Sequence, residues 1–425
     1  MTSVLFILGS LAGVFAGLVP GVGVFTTLVM LYPFLYTLSL NEIMVLYIPM
    51  LVVSQFVGSV PALYFKIPGE STSLIATEYG HRLFSQGQHD LIPLTALGSL
   101  VATILSAMLF VVIAHVDMTW ISQTFKSQIL LSVIIISFAI ITYTSKNLIW
   151  ISVSMLLTGM ILGNIGYNVG TGETWLTFGN SWLYLGMPLL SFIAGVYIIP
   201  QILNIKTNDV STSSITQAYV SIWPQLKNNL ATMLNGSLLG YVSGLVPIVG
   251  KIVGVNLSRF FYRHSDRRSV IASESSNNAS IFSALIPLFV FGIPITLGEI
   301  LIVNIAETSV FDLQNSFVQI LNQGTLPWII LASGLVGVLI AWPLATYMTV
   351  FYRLPTVMLK ILLIGFVLSS VIYVGWLSGV VWYMLIVLFA FVPVGWLLKD
   401  YDLLPLLFGF IFAQMCVTMI TRILI

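Results

Sequence analysis

The sequence contains little charge and a single cysteine. Only 7% of its 425 residues are Asp, Glu, Lys or Arg, 15 basic and 14 acidic, whereas soluble domains carry about 25%. The chain therefore cannot cover a water-facing surface of its own size with charged side chains. A net charge of +1 provides no basic face for binding a nucleic acid. Because Cys416 has no partner cysteine, an intrachain disulfide and a Cys-based zinc site are excluded.

Apolar residues dominate the chain. Hydrophobic residues make up 58% of it, and the mean hydropathy is +1.05. Since a membrane-spanning helix needs about 20 apolar residues, this composition predicts an all-α polytopic membrane protein with about 10–12 transmembrane segments. Several apolar runs are too long for one span and are interrupted by Pro, Gly or a charge, which predicts broken helices. Residues 4–19 lack the basic start of a signal peptide and recur later in the chain, so we expect them to be mature structure.

An internal repeat divides the sequence into two halves. Residues 9–23 and 236–250 are identical at ten of fifteen positions, at an offset of 227. Phe65-Lys-Ile-Pro68 and Phe291-Gly-Ile-Pro294 match at an offset of 226. We therefore predict a first transmembrane repeat over 1–205, a polar connector over 206–229 and a second transmembrane repeat over 230–425.

The charge of two loops indicates how the halves are related. Four arginines lie within 259–268, whereas the corresponding stretch of the first half, 32–41, has no basic residue. Since cytoplasmic loops collect Lys and Arg, the two loops are expected on opposite sides of the membrane, which predicts an inverted repeat. The alternative is that the basic loop binds lipid headgroups.

Two kinds of polar interruption are candidate binding sites. The Pro-Gly-Val-Gly run at 20–23 leaves backbone groups without helical partners, and such groups must line a cavity or be buried in protein. The hydroxyl-rich turn at 67–73 precedes a helix whose free N–H groups suit an anion. For the break at 20–23 the alternative is a simple helix kink. For the turn at 67–73 the alternative is an extramembrane loop. The glycines four residues apart at 9–17 and 236–244 are interpreted as helix-packing positions.

Residues 273–280 form the densest neutral polar cluster in the chain. Taken alone, such a cluster is interpreted first as a solvated loop. The alternative is a binding site, because amide and hydroxyl oxygens are ligands that a hard cation accepts. We predict Asn277, Asn278 and Ser280 as sodium ligands. A proton is the other candidate cation, and no other cofactor is expected.

We expect the charge of an anionic ligand to be held by backbone N–H groups and hydroxyls at the helix breaks. A buried positive charge costs about 3 kcal/mol or more at mid-membrane on insertion scales. The competing hypothesis is that Lys66 or Lys251 binds the anion. The predicted substrate-binding residues are Pro20, Gly21, Gly23, Pro68, Gly69, Ser71, Thr72, Ser73, Pro247, Gly250, Asn277, Asn278, Pro294 and Thr296.

The sequence matches the sequence motifs of enzymes poorly. The segment 244–251 departs from a phosphate-binding loop, because its second glycine is one residue late and Ile252 occupies the magnesium-binding position. The sequence contains no His-Glu-x-x-His motif and no nucleophile elbow. We therefore predict that the chain is not an enzyme.

Motifs along the chain resemble, in type and in order, those of the large membrane subunit of the tripartite tricarboxylate transporters. They are the Gly-x-x-x-Gly-x-x-Pro-Gly-x-Gly run at 13–23, the Ile67-Pro-Gly turn followed by Tyr79-Gly80 and Gly87-Gln88, Thr177-Phe-Gly179 with Leu185-Gly186, Glu274-Ser-Ser-Asn-Asn-Ala279, Leu285-Ile-Pro287, Gly292-Ile-Pro294 and Leu404-Pro-Leu-Leu-Phe-Gly409. The chain departs from the family pattern at Pro247-Ile248 and at Pro294-Ile295.

The resemblance implies a permease of the prokaryotic cytoplasmic (inner) membrane. Such a permease takes small organic anions, typically carboxylates, from a periplasmic substrate-binding protein, works with a small membrane subunit, and is driven by a cation gradient. The predicted function is accordingly a multi-pass secondary active transporter, with a homodimer as an open alternative for its assembly. A non-transporting assembly or sensory component that kept the fold is the alternative function. A membrane enzyme acting on lipids is disfavoured, because the acidic and histidine residues have no recognisable catalytic spacing.

Overall fold

The computed structural model describes most of the chain. The described residues are 2–19, 23–65, 75–115, 127–145, 147–168, 171–204, 222–245, 250–291, 294, 296–306, 310–351 and 355–424. Within them the protein is helical apart from one two-stranded hairpin, which confirms the prediction of an all-α polytopic membrane protein.

The first part of the chain, up to residue 204, contains ten α-helices and two π-helical turns among its described residues. The helices are α1 (Thr2–Leu18), α2 (Gly23–Leu35), α3 (Leu40–Phe65), α4 (His81–Ser85), α5 (Leu91–Ala114), α6 (Ser127–Thr144), α7 (Ile149–Gly163), α8 (Ser181–Tyr184), α9 (Leu189–Ile193) and α10 (Ile199–Leu203). The π-helical turns Ala76–Gly80 and Ala194–Ile198 lead into α4 and α10. Strands β1 (Gly166–Tyr167) and β2 (Thr174–Trp175) pair antiparallel.

The second part contains nine α-helices in its described stretches. They are α11 (Ile222–Gly244), α12 (Gly250–Phe261), α13 (Asp266–Phe291), α14 (Leu297–Ala306), α15 (Val310–Asn322), α16 (Leu326–Phe351), α17 (Thr356–Leu377), α18 (Val381–Leu397) and α19 (Leu404–Leu424). Helix α11 begins at Ile222, so the last eight residues of the predicted polar connector are helical.

Four helices within the described residues are long and apolar enough to cross a membrane, and a fifth span results if one bent pair is counted. The four are Leu40–Leu63, Leu91–Ala114, Thr356–Leu377 and Leu404–Thr421, and the pair Ser316–Asn322 and Leu326–Ala341 is bent by 74°. Six further apolar helices are only 10–17 residues long. Short apolar helices next to Pro and Gly are what broken spans produce. The total of about 10–12 segments stays a prediction.

The chain folds into two compact units. The first contains Met1–Leu28, Leu35–Met118 and Ile205–Leu359, and the second contains Val29–Phe34, Thr119–Asn204 and Lys360–Ile425. Each unit thus takes helices from both predicted halves of the sequence. The repeat boundaries themselves stay a prediction.

Glycines allow helix backbones to touch in the first unit. An added Cβ at Gly13 of α1 would lie 2.7 Å from the carbonyl oxygen of Met50 in α3. An added Cβ at Gly240 of α11 would likewise lie 2.6 Å from the Cα of Ser276 in α13. The two glycines are 227 positions apart and their partners 226, so the same packing occurs twice. The interpretation of these glycines as packing positions is confirmed.

Helices α3 and α13 occupy equivalent places in the repeat and meet in the first unit. Both are 26 residues long, and they begin 226 positions apart. Ser59 contacts Glu274, and Gln55 contacts Asn277. Since the residue number rises along one helix as it falls along the other, α3 and α13 run in opposite directions where they meet.

The basic stretch 259–268 is held by side chains of the segment before α5. Arg259 donates a hydrogen bond to the hydroxyl of Tyr79, and its guanidinium lies 4.2 Å from the centre of that ring. Arg267 binds both carboxylate oxygens of Asp90, with Nη1 at 2.9 Å from Oδ1. Arg259 and Arg267 therefore have protein partners in addition to any lipid contact.

The second unit repeats the glycine packing with different helices. Gly163 of α7 lies against the backbone of Phe410 in α19, and Gly395 of α18 lies against the backbone of Val196. Asn147 closes a loop by donating from Nδ2 to the carbonyl oxygen of Asp402 at 2.8 Å and accepting from the amide of that residue at 2.9 Å.

Candidate functional site

The polar segment 273–280 lies inside helix α13 and every residue of it is buried. The solvated-loop interpretation of this segment is therefore wrong. No Pro or Gly interrupts it, so the backbone hydrogen bonds stay within the helix and only the side chains need partners. Seven polar side chains in eight positions cover all sides of the helix, and they face α3, α5 and α12.

Two side chains of α13 contact α3. Ser59 Oγ donates to Glu274 Oε2 at 2.5 Å, and Asn277 Nδ2 donates to Gln55 Oε1 at 3.1 Å. Glu274 is 2% exposed. Among the described residues no Lys, Arg or His forms a hydrogen bond or an ion pair with its carboxylate. This is a buried acidic group whose hydrogen-bond donor is a neutral hydroxyl.

The next residue of α13 contacts α5. Asn278 Nδ2 donates to Ser99 Oγ at 2.8 Å and to the backbone oxygen of Glu274 at 3.0 Å. Ser280 Oγ donates to the backbone oxygen of Asn277 at 2.7 Å. The three predicted sodium ligands thus have different partners, on α3, on α5 and in their own helix. Their role as a sodium site stays a prediction.

Two buried polar atoms of this segment have no hydrogen-bond partner among the described residues. They are Asn277 Oδ1 and Ser276 Oγ. Ser276 faces α12, where an added Cβ at Gly254 would lie 2.8 Å from its hydroxyl. Asn277 faces α3, because its Nδ2 binds Gln55. Such unpaired buried groups are rare in folded proteins and point to a ligand or a water that completes them.

The start of α14 carries its own carboxylate. The amide of Thr296 donates to Glu299 Oε2 at 3.1 Å, and the amide of Glu299 donates to Thr296 Oγ1 at 3.3 Å. This reciprocal arrangement is a capping box, and Glu299 is buried. The predicted substrate-binding residue Thr296 is therefore engaged in capping, next to the buried Pro294. A substrate carboxylate at this helix start would compete with Glu299.

The other predicted substrate-binding residues are divided between helix starts and undescribed segments. Gly23 begins α2 with a φ of +58°. Gly250 begins α12 and packs against Gly244, because a Cβ added at Gly250 would lie 2.8 Å from the Cα of Gly244. Lys251 lies in the first turn of α12 and is half-buried. Outside the described residues lie Pro20, Gly21, Lys66, Pro68, Gly69, Ser71, Thr72, Ser73 and Pro247.

Sequence reasoning missed several groups that the structure brings to α13 or to the start of α14. Gln55 and Ser59 come from an apolar run of the first half, Ser99 comes from another, and Glu274 and Glu299 come from the second half. A usable signal was present, because a polar side chain within a long apolar run is expensive and marks function. Their pairing was not predictable, since Ser59 and Glu274 are 215 positions apart.

The comparison with protein families identifies one family. A family profile described as the tripartite tricarboxylate transporter TctA family matches residues 4–408. A protein of Agrobacterium vitis, described as an uncharacterized 52.8 kDa protein in the TAR-I ttuC' 3' region, is 23% identical over 300 residues. The match covers 67% of this chain and 60% of that relative. No solved structure matches this chain.

Proposed function

Because the chain belongs to the tripartite tricarboxylate transporter TctA family, we propose that it is the membrane subunit of a secondary active transporter. That family is a transporter family and not an enzyme family. The cargo we propose is a small organic anion, in particular a carboxylate, and the driving force is a cation gradient across a prokaryotic cytoplasmic membrane. The observation that carries the proposal is the buried polar segment 273–280, because ionisable and polar groups inside apolar helix bundles mark substrate and ion pathways.

We place the anion at the broken helices of the first unit. Helices α2 and α12 both begin immediately after a predicted break, at Gly23 and Gly250. Their free N–H groups and positive dipole ends suit a carboxylate without a buried cation. The start of α14 is less suitable, since Glu299 already caps it. The hydroxyls at 71–73 are proposed as further ligands.

We also propose that the two halves form an inverted repeat, related by a two-fold axis in the membrane plane. Helices related by such an axis cross the membrane in opposite directions, whereas an axis along the membrane normal keeps their directions the same. Helices α3 and α13 occupy equivalent positions and run in opposite directions where they meet. This supports the inverted arrangement.

Thiol labelling tests the inverted arrangement. Thr37 and Arg263 are exposed, equivalent positions, 226 residues apart, just outside α3 and α12. In a Cys416→Ser background, we expect a membrane-impermeant thiol reagent added to intact cells to label only one of Thr37→Cys and Arg263→Cys. After permeabilisation it should label both. Labelling of both variants in intact cells, from one side, contradicts the inverted repeat.

The partners we propose are a periplasmic substrate-binding protein and a small membrane subunit, which are general for this family. The function is tested by uptake of labelled carboxylates into liposomes that contain the chain with these partners, with and without a sodium gradient. We expect saturable uptake that falls strongly in Asn278→Ala, while the variant remains folded. No uptake of any carboxylate by the complete assembly contradicts the transport proposal and favours a non-transporting component.

A further inference from the structure

We propose that Glu274 and Asn277 of α13, together with Ser59 of α3, bind the coupling cation and that this cation is sodium. The inference rests on the proposed function, since it identifies the ion site of the same transporter. It differs from the predicted ligand set, because Glu274 and Ser59 supply ligands in place of Asn278 and Ser280.

The first observation is a negative charge without a counter-charge. Glu274 is 2% exposed, and within the described residues its carboxylate receives one hydrogen bond, from Ser59. An ionised carboxylate can accept about four hydrogen bonds. Burying it unpaired costs several kcal/mol. The site is therefore incomplete unless a positive species joins it.

The second observation is an oxygen without a donor, one helical turn further along α13. Asn277 is 2% exposed and its Oδ1 has no partner in the described part of the chain. Residues three apart on a helix share a face, and both Glu274 and Asn277 contact α3. A hard cation can bind the Glu274 carboxylate and Asn277 Oδ1 at the same time, because carboxylate and amide oxygens are the ligands it prefers.

The hydroxyl between them can change its role. Ser59 Oγ lies 2.5 Å from Glu274 Oε2 and 3.1 Å from the backbone oxygen of Gln55. A serine has a single hydroxyl proton, so it donates to one of these oxygens at a time. When a cation binds the carboxylate, Ser59 can donate to Gln55 and present its lone pairs to the ion. The same residue thus stabilises the site in both states.

Charge and position favour a monovalent coupling cation. One formal negative charge is balanced by a monovalent cation, whereas a divalent ion leaves an excess positive charge in a buried site. Glu274 and Asn277 are the ninth and twelfth of the 26 residues of α13, close to its centre. The site lies where two equivalent helices of the repeat meet, which is where coupling ions bind in transporters built from repeats.

The test measures sodium binding by the purified full-length chain without substrate or partner subunits. Thermal unfolding is followed by tryptophan fluorescence while NaCl replaces choline chloride or KCl at constant ionic strength. A ligand that binds only the folded state raises the unfolding temperature. We expect a sodium-specific rise, an about tenfold or greater loss of apparent sodium affinity in Asn277→Ala, and no sodium response in Glu274→Gln. Glu173→Gln, an exposed change in the β-hairpin, should respond like the unaltered chain.

Saturable binding of radioactive sodium provides a second measurement on the unaltered chain, should Asn277→Ala fail to fold. The proposal is overturned if sodium and potassium act alike, or if Glu274→Gln keeps the full sodium response. It is also overturned if the unaltered chain responds to pH alone, which identifies a proton as the bound cation. A chain that binds sodium at Glu274 but transports nothing rejects the transport proposal and supports the site.

Discussion

Replacing Gly240 by Ala should destabilise the protein, although alanine is the better helix former. A Cβ at Gly240 would lie 2.6 Å from the Cα and from the carbonyl carbon of Ser276. Carbon atoms in contact are about 3.5–4.0 Å apart, so α11 and α13 must separate by about 1 Å. Backbone atoms cannot rotate away as a side chain does. Overpacking of this kind costs about 1–3 kcal/mol, which exceeds the gain of about 0.8–1 kcal/mol from helix propensity.

The assay is thermal unfolding in detergent, with a matched glycine as the control. Gly365 lies in α17 with no atom within 4 Å of an added Cβ, so Gly365→Ala should keep the propensity gain and raise stability. Gly13→Ala, at the equivalent position of the repeat, should lower it like Gly240→Ala. Because Ser276 precedes Asn277, we also expect a weaker sodium response in Gly240→Ala. Equal or higher stability of Gly240→Ala than of the unaltered chain refutes the close-packing argument.

Four other changes are predicted from hydrogen bonds and ion pairs. Asn147→Ala removes both bonds to the backbone of Asp402 and should lower the free energy of unfolding by about 1–3 kcal/mol, measured by chemical denaturation. Thr296→Val removes the cap of α14 and should cost about 0.5–2 kcal/mol without changing the sodium response. Arg267→Gln breaks a mostly buried ion pair and should cost about 1.5–3 kcal/mol, whereas Arg82→Gln breaks an exposed pair and should cost about 1 kcal/mol or less. Equal costs for the two arginine variants contradict the burial argument.

Composition and repeats predicted the fold class well, because they depend on properties summed over many residues. The low charge and high hydropathy predicted membrane-spanning helices, because a helix satisfies its own backbone hydrogen-bonding groups within the membrane. The glycines at 9–17 and 236–244 predicted close helix packing, and the structure places their backbones against α3 and α13. The family resemblance, which rested on the order of short motifs, is confirmed by the match over residues 4–408.

The candidate site was predicted less well, because its contacts are distant in sequence. Residues 273–280 looked like a loop, since seven polar side chains in eight positions have no apolar periodicity from which a helix could be predicted. They are helical because Ser59, Gln55 and Ser99, between 179 and 222 positions away, satisfy some of their side chains. Likewise, the capping role of Glu299 was not foreseen, although Thr and Glu three residues apart are the sequence signature of a capping box.

The asymmetry of the repeat bears on the number of ion sites. Helices α3 and α13 are equivalent in length and packing, so the architecture alone would allow two related sites. At the positions of α3 that correspond to Glu274 and Asn277, 226 residues earlier, the sequence has Ile48 and Leu51, and both are buried. Neither apolar side chain can bind a cation. Of these two equivalent helices, only α13 therefore has a carboxylate and an amide at the corresponding positions. The proposed cation site therefore has no counterpart at the equivalent positions of α3, and it predicts one ion bound where these two opposed helices meet.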